Sequence, residues 1–136
     1  RRLDPGQEIK LHFQSENPAE ENGAVLVSYQ SPIPGFRGDG LSPPESLKST
    51  ASIRLISHIL REPLFDTLRT KQQLGYIVSS YYDLAFSSVP DSEAYPGPTT
   101  TPVDLLVVNI LSRKVSPPEV AERIDEFLME FRSKLT

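Results

Sequence analysis

Apolar and polar residues alternate over Ile9-Lys10-Leu11-His12-Phe13, and Ala24-Val25-Leu26-Val27-Ser28-Tyr29 is a denser run of β-branched, aliphatic and aromatic residues. Both predict strands, because a period of two sends successive side chains to opposite faces of a sheet. Between them lie Pro18, Glu20, Glu21, Asn22 and Gly23, turn chemistry that allows the two strands to pair antiparallel. Further on the period lengthens: Leu47, Ala51, Leu55, Ile56, Ile59 and Leu60 form a helical stripe, which Pro63 interrupts with a kink or a new helix start, since proline has no N–H to donate. Val120, Ile124, Phe127, Leu128, Phe131 and Leu135 recur at threes and fours and predict a second amphipathic helix.

Ser42-Pro43-Pro44-Glu45 and Ser116-Pro117-Pro118-Glu119 precede these helices, and each has the form of a capping box with proline in the first turn. Tyr76–Tyr82 and Val103–Leu111 complete the pattern as strands. The latter is apolar on both parities, which predicts a central strand covered on both faces. The order β, β, α, β, β, α predicts an α+β fold, a mostly antiparallel sheet with helices packed on one face. Residues 1–136 form one domain on this reading. Its proline- and glycine-rich tracts, Ser31–Pro44 and Val89–Pro102, are expected as surface loops within it.

The segment from Glu62 to Val78 carries the most information. Leu64, Phe65, Leu68 and Gln72 share a helical stripe, Gly75 stands where a C-terminal cap at positive φ is expected, and Tyr76-Ile77-Val78 favours a strand. Arg69 and Tyr76 are seven residues apart, roughly 10 Å along a helix axis, so both side chains can reach one side of the helix–strand junction. A late helical Arg also suits the negative end of the helix dipole, and a Tyr opening a strand also serves as a packing residue.

Composition narrows the chemistry. Fourteen basic and 18 acidic residues give a formal charge of −4 with no cationic cluster, which argues against nucleic-acid or anionic membrane partners. No cysteine is present, so disulfides, thiolate metal sites and a cysteine nucleophile are excluded, and a cytoplasmic or organellar compartment is favoured over secretion. No stretch resembles a spanning helix or a signal peptide. A start at Arg1-Arg2-Leu3 rather than Met suggests a piece of a larger protein.

Only His12 and His58 are available as imidazole ligands, neither opens an H-x-x-E-H motif, and His58 with Glu62 one turn on reads as a solvated pair. No metal site is expected within the chain. Arg37-Gly38-Asp39 lies in the first loop and reads as ordinary turn composition rather than an adhesion signal. Nucleophile-elbow, phosphate-loop and dinucleotide patterns are absent.

The run Glu62-Pro63-Leu64-Phe65-Asp66-Thr67-Leu68-Arg69-Thr70-Lys71-Gln72-Gln73-Leu74-Gly75-Tyr76-Ile77-Val78 closely resembles a segment of the insulin-degrading-enzyme and pitrilysin family of zinc metallopeptidases. A looser likeness of pattern runs from about Ala24 to the C-terminus. The resemblance places the chain in the C-terminal, zinc-free half of such an enzyme. That half closes over the zinc-bearing N-terminal half around a peptide chamber. It implies peptide substrate and the zinc-bearing half as partners, with zinc held there and none here. Arg69 and Tyr76 are then substrate-binding residues, and Tyr76 is in addition a catalytic donor to the reacting carbonyl. The chain alone is expected to be inactive. The alternative is a degenerate relative serving as a non-catalytic assembly subunit. The loops at 31–44 and 89–102 look longer than the resemblance leads one to expect.

Overall fold

A computed structural model describes residues 3–36, 42–88 and 100–135. Three strands and two helices follow in the order β1 (Gly23–Gln30), α1 (Pro44–Leu64), β2 (Ile77–Ser88), β3 (Thr100–Ser112) and α2 (Pro117–Leu135), with a π-helical segment Phe65–Lys71 continuing α1. The fold is α+β. The sheet order is β1-β3-β2, and β3 pairs antiparallel with both neighbours.

Register places Val25, Ile110 and Val78 side by side, then Val27, Val108 and Ser80, then Tyr29, Leu106 and Tyr82. Cross-strand partners share a face, and both helices pack on this one. Leu60, Leu64 and Leu68 from the α1 side and Val120, Ile124 and Phe127 from α2 join Val78, Val108 and Ile110 in a single core. Removing each such side chain from water contributes about 1.5–3 kcal/mol. Phe127 also stacks on Phe131 at 5.9 Å between centroids, and the Tyr29 hydroxyl donates to Asp125 at 3.0 Å, which ties β1 to α2.

β3 is central, but the helices cover only one of its faces. On the other face Val103 and Val107 are buried, while Leu26, Ile77 and Tyr81 are exposed. The double-parity apolar pattern of β3 therefore overstates the cover that the described residues provide.

Residues Ile9–Phe13 form no strand, and Ile9, Leu11 and Phe13 are exposed. The partner expected for them, β1, spends one edge on β3, and alternation alone cannot hold a strand without a core to bury its apolar face. The stripe read for α1 is also turned away from the sheet. Leu47 is 54% exposed and Leu55 61%, with Ala51, Ile56 and Ile59 exposed as well, whereas Ser46, Thr50, Ser57, Leu60 and Leu64 are buried. The helix is rotated so that Thr50 meets the buried carboxylate of Asp104 on β3. A buried carboxylate needs donors, and that need outweighs the apolar count on the opposite face.

The first capping box is not realised as such. Helix α1 begins at Pro44 with Pro43 at the N-cap and no side-chain cap, because two prolines fix the chain where Ser42 was expected to cap. In α2 the Val120 N–H donates to the Ser116 carbonyl at 3.0 Å, as expected for a start at Ser116. Pro63 does not restart a helix. Helix α1 runs through it to Leu64 and then widens to π hydrogen bonding, an adjustment that accommodates a missing donor.

The π segment ends with Gln72 N–H on the Thr67 carbonyl (2.9 Å) and Leu74 N–H on the Leu68 carbonyl (3.0 Å), while Gln73 takes φ 52°. Gln73, not Gly75, is the left-handed residue that stops the helix. Gly75 is required for another reason: a Cβ there would lie 2.3 Å from the Leu111 carbonyl oxygen. The missing side chain lets Tyr76 N–H reach that same oxygen at 3.1 Å and start β2. Arg37-Gly38-Asp39 and most of the second proline-rich tract lie outside the described residues; the first tract contributes Ser31 and Gly35 to the buried set.

Candidate functional site

The wide π turn, the left-handed Gln73 and the close pass of Gly75 over Leu111 set the direction in which the chain leaves the helix. Their result is a groove of about 420 Å³ at one end of the sheet, lined by Arg69, Gln73, Gly75 and Tyr76 on one side and by Arg113 and Lys114 on the other. Arg69 is half-buried and Tyr76 is 51% exposed. The structure thus brings Arg69 and Tyr76 to one open groove. It does so through a turn rather than through continuous helical spacing.

Ser112 shapes the opposite wall. Its buried hydroxyl accepts the N–H groups of Lys114 (3.3 Å) and Val115 (3.0 Å), a side-chain turn that ends β3 and carries Arg113 and Lys114 to the groove. The Tyr76 hydroxyl has a long contact to the Asn22 side-chain oxygen at 3.4 Å. Arg113 places Nε and Nη2 each 2.9 Å from Glu21 Oε2. Glu20 accepts from the Asn22 backbone and side-chain N–H groups, and these bonds hold its carboxyl below the ordinary range. Lys71 is turned elsewhere, to Asp66 at 2.7 Å, and its ammonium is raised by that pairing.

A guanidinium offers five donors in a planar fork suited to peptide carbonyls and carboxylates. A phenol offers one donor on a rigid ring. Together they can orient a peptide and hydrogen bond to a carbonyl oxygen, but neither supplies a nucleophile. Among the described residues no group of three His, Cys, Asp or Glu side chains could hold a metal ion. His58 and Glu62 line a different groove of about 640 Å³, beside the Val78–Tyr81 edge of β2. Among the described residues no helix is long and apolar enough to cross a membrane.

Sequence reading did not find Glu21, Asn22, Arg113 and Lys114, which reach the groove from elements distant in the chain. Nor did it single out Asp104, which is fully buried and accepts from Thr50 Oγ1 and from the Tyr82 hydroxyl, both at 2.6 Å. The interruption of an apolar strand by Asp104 was the available signal. Arg54 lies 4.6 Å from the Tyr82 ring centroid and completes this second cluster.

Residues 55–89 match the family model described as PQQ synthase PqqF-like, C-terminal lobe domain 4. A nardilysin-like protein of Arabidopsis thaliana is 29% identical over 133 residues, covering 96% of this chain and 10% of the relative. Human insulin-degrading enzyme is 34% identical over 68 residues, 50% of this chain and 6% of the relative. The chain thus spans a tenth or less of these relatives, and no solved structure gives a significant match. The matched span contains the π-helical turn, Arg69, Gly75, Tyr76 and all of β2, and these similarities support a segment like the C-terminal lobe of the insulin-degrading-enzyme and pitrilysin family.

Proposed function

We propose that this chain supplies substrate-binding and transition-state-stabilising side chains to a peptidase whose zinc is held by another part of the enzyme. The observation that carries this reading is the shared groove of Arg69 and Tyr76, with Tyr76 half exposed and its hydroxyl only weakly engaged. On this reading the metal's role, activating water and polarising the scissile carbonyl, is assigned to the zinc-bearing half.

Within this division Arg69 grips peptide carbonyls and fixes the register of the bound strand. Tyr76 donates to the scissile oxygen as negative charge develops on it. One such donor is typically worth about 3 kcal/mol of barrier, because its benefit is realised mainly in the transition state. Neither side chain supplies a nucleophile.

Steady-state kinetics of the whole enzyme on one peptide test the assignment. Tyr76→Phe is expected to lower kcat by about 10²–10³ with little change in KM, and Arg69→Lys to raise KM, since a point charge does not replace a fork of donors. Wild-type kcat in the phenylalanine variant would remove Tyr76 from the chemistry.

A second reading, a non-catalytic assembly subunit, draws support from the exposed Leu47, Leu55 and Ile59 on α1 and from the uncovered face of the sheet. The two readings differ in the whole coding sequence: an H-x-x-E-H motif in it supports the peptidase, and its absence supports the assembly role.

A further inference from the structure

The groove is cationic in a chain that is anionic as a whole. Arg69, Arg113 and Lys114 line it and, among the described residues, no acidic residue does, against a formal charge of −4 for the sequence. What reaches its rim is also informative. Glu21 lays a carboxylate oxygen on the Arg113 guanidinium, and the next residue, Asn22, directs an amide carbonyl at the Tyr76 hydroxyl. Glu20 occupies the N–H groups of Asn22, so the side chain presents its oxygen, not its nitrogen, to Tyr76. An acidic side chain beside a carbonyl is what a peptide with an embedded Glu or Asp would present.

We propose that this groove prefers peptides with an acidic side chain next to the carbonyl engaged by Tyr76, with Arg113 and Lys114 reading the carboxylate and the Glu21–Asn22 turn acting as an internal competitor. The inference rests on the reading of Arg69 and Tyr76 as peptide-binding residues and adds a substrate class to it. The internal contacts are displaceable. Both partners of the Glu21–Arg113 pair are about two-thirds exposed, where ion pairs are weak, and the Tyr76–Asn22 contact is long. A ligand carboxylate can therefore replace Glu21 without leaving a buried charge behind.

Fluorescence anisotropy of the chain with labelled, end-blocked peptides that differ only in a central Glu, Gln or Lys tests the proposal at low ionic strength. The Glu peptide should bind about 3–10-fold more tightly than the Gln peptide, in keeping with one charge-assisted contact at an exposed site. The Lys peptide should bind most weakly, and added salt should shrink the difference. The double change Arg113→Gln and Lys114→Gln should bring the Glu/Gln ratio to about one, and Glu21→Gln should tighten the Glu peptide by about two- to fivefold. All three positions are exposed, and circular dichroism checks that the fold is kept.

A wild-type ratio of one, or a ratio that survives the double change, overturns the acidic preference. Failure of the underlying reading looks different: peptides of every charge then fail to bind, or the Gln peptide binds equally well to wild type and to Arg69→Lys. If the Gln peptide binds wild type more tightly than Arg69→Lys but the ratio is one, the peptide-binding role stands and only the charge preference falls.

Discussion

At one end of β3, Asp104 is wholly buried and its two oxygens accept from Thr50 and Tyr82 at 2.6 Å each. At the other end Tyr76 is half exposed and its hydroxyl has one contact at 3.4 Å. The same residue types, a tyrosine and an acceptor, serve opposite ends. Where the polar groups are buried they satisfy one another and fix the Ser31–Phe36 loop: Ser31 N–H donates to the Asp104 carbonyl, Phe36 N–H to Thr50 Oγ1, and Ser31 and Ser49 share a hydroxyl contact at 2.9 Å. Where they are exposed their partners are weak and exchangeable. Capacity for a ligand follows from incomplete satisfaction near water, not from the number of polar residues gathered.

The glycines at the two ends offer the largest test. At Gly75 an added Cβ meets backbone, the Leu111 carbonyl oxygen at 2.3 Å and its carbon at 3.0 Å. At Gly35 it meets the Asp104 carboxylate oxygens at 3.2 Å, side-chain atoms that can shift by a few tenths of an ångström. Gly75→Ala is expected to cost about 3 kcal/mol, since β2 must separate from β3 and lose the Tyr76–Leu111 bond, and Gly35→Ala about 1 kcal/mol. Chemical denaturation ranks the two. A smaller cost at Gly75 would mean that the junction yields easily and does not hold Tyr76 in place.

Asp104→Asn follows at about 2 kcal/mol. The amide retains one acceptor but aims its NH₂ at a hydroxyl that was a donor, and Thr50 Oγ1 already accepts from Phe36. Equilibrium unfolding measures the loss. An unchanged midpoint would show that the buried cluster contributes only shape.

Alkaline titration tests the buried end by another route. Burial and the Asp104 contact hold the Tyr82 phenol above its ordinary range, and burial with Asp125 does the same to Tyr29. The unfolded chain releases such protons near pH 10 while the folded chain retains them. Their contribution to stability is therefore whole below about pH 10 and is lost as pH rises through the raised folded values. Tyr82→Phe and Tyr29→Phe should flatten that decline, as read from unfolding midpoints across the alkaline range. An equally steep decline in both variants would assign it to other groups.

Much of this contrast was legible in the sequence, and the part that was not has a common cause. Strands β1, β2 and β3, helix α2, and the presence of Arg69 and Tyr76 at one junction follow from periodicity and local chemistry. The rotation of α1 does not, because it depends on where Asp104 sits in the sheet relative to Thr50. The role of Gly75 was likewise misread: a local rule looks for positive φ after a helix, whereas the constraint is a neighbouring strand's carbonyl. Glu21, Asn22, Arg113 and Lys114 join the groove only through the β1–β3 register, in which Gly23 lies opposite Ser112. No pattern within either segment contains that pairing.

The smallest expected effect is the one that most sharpens the comparison, the loss of one hydroxyl at each end. Tyr82→Phe removes a donor from a buried carboxylate and should cost about 1.5–3 kcal/mol, the usual range for a hydrogen bond to a charged group. Tyr76→Phe removes a donor that water can replace for Asn22, and should change stability by less than about 0.5 kcal/mol. The same substitution would then be nearly silent in folding at the end where the largest loss of kcat is expected. If instead Tyr76→Phe destabilises as much as Tyr82→Phe, the Tyr76 hydroxyl is part of the scaffold, and a fall in activity could no longer be assigned to a missing donor at the scissile oxygen. Urea unfolding of the two variants beside wild type decides between these outcomes without requiring an active enzyme.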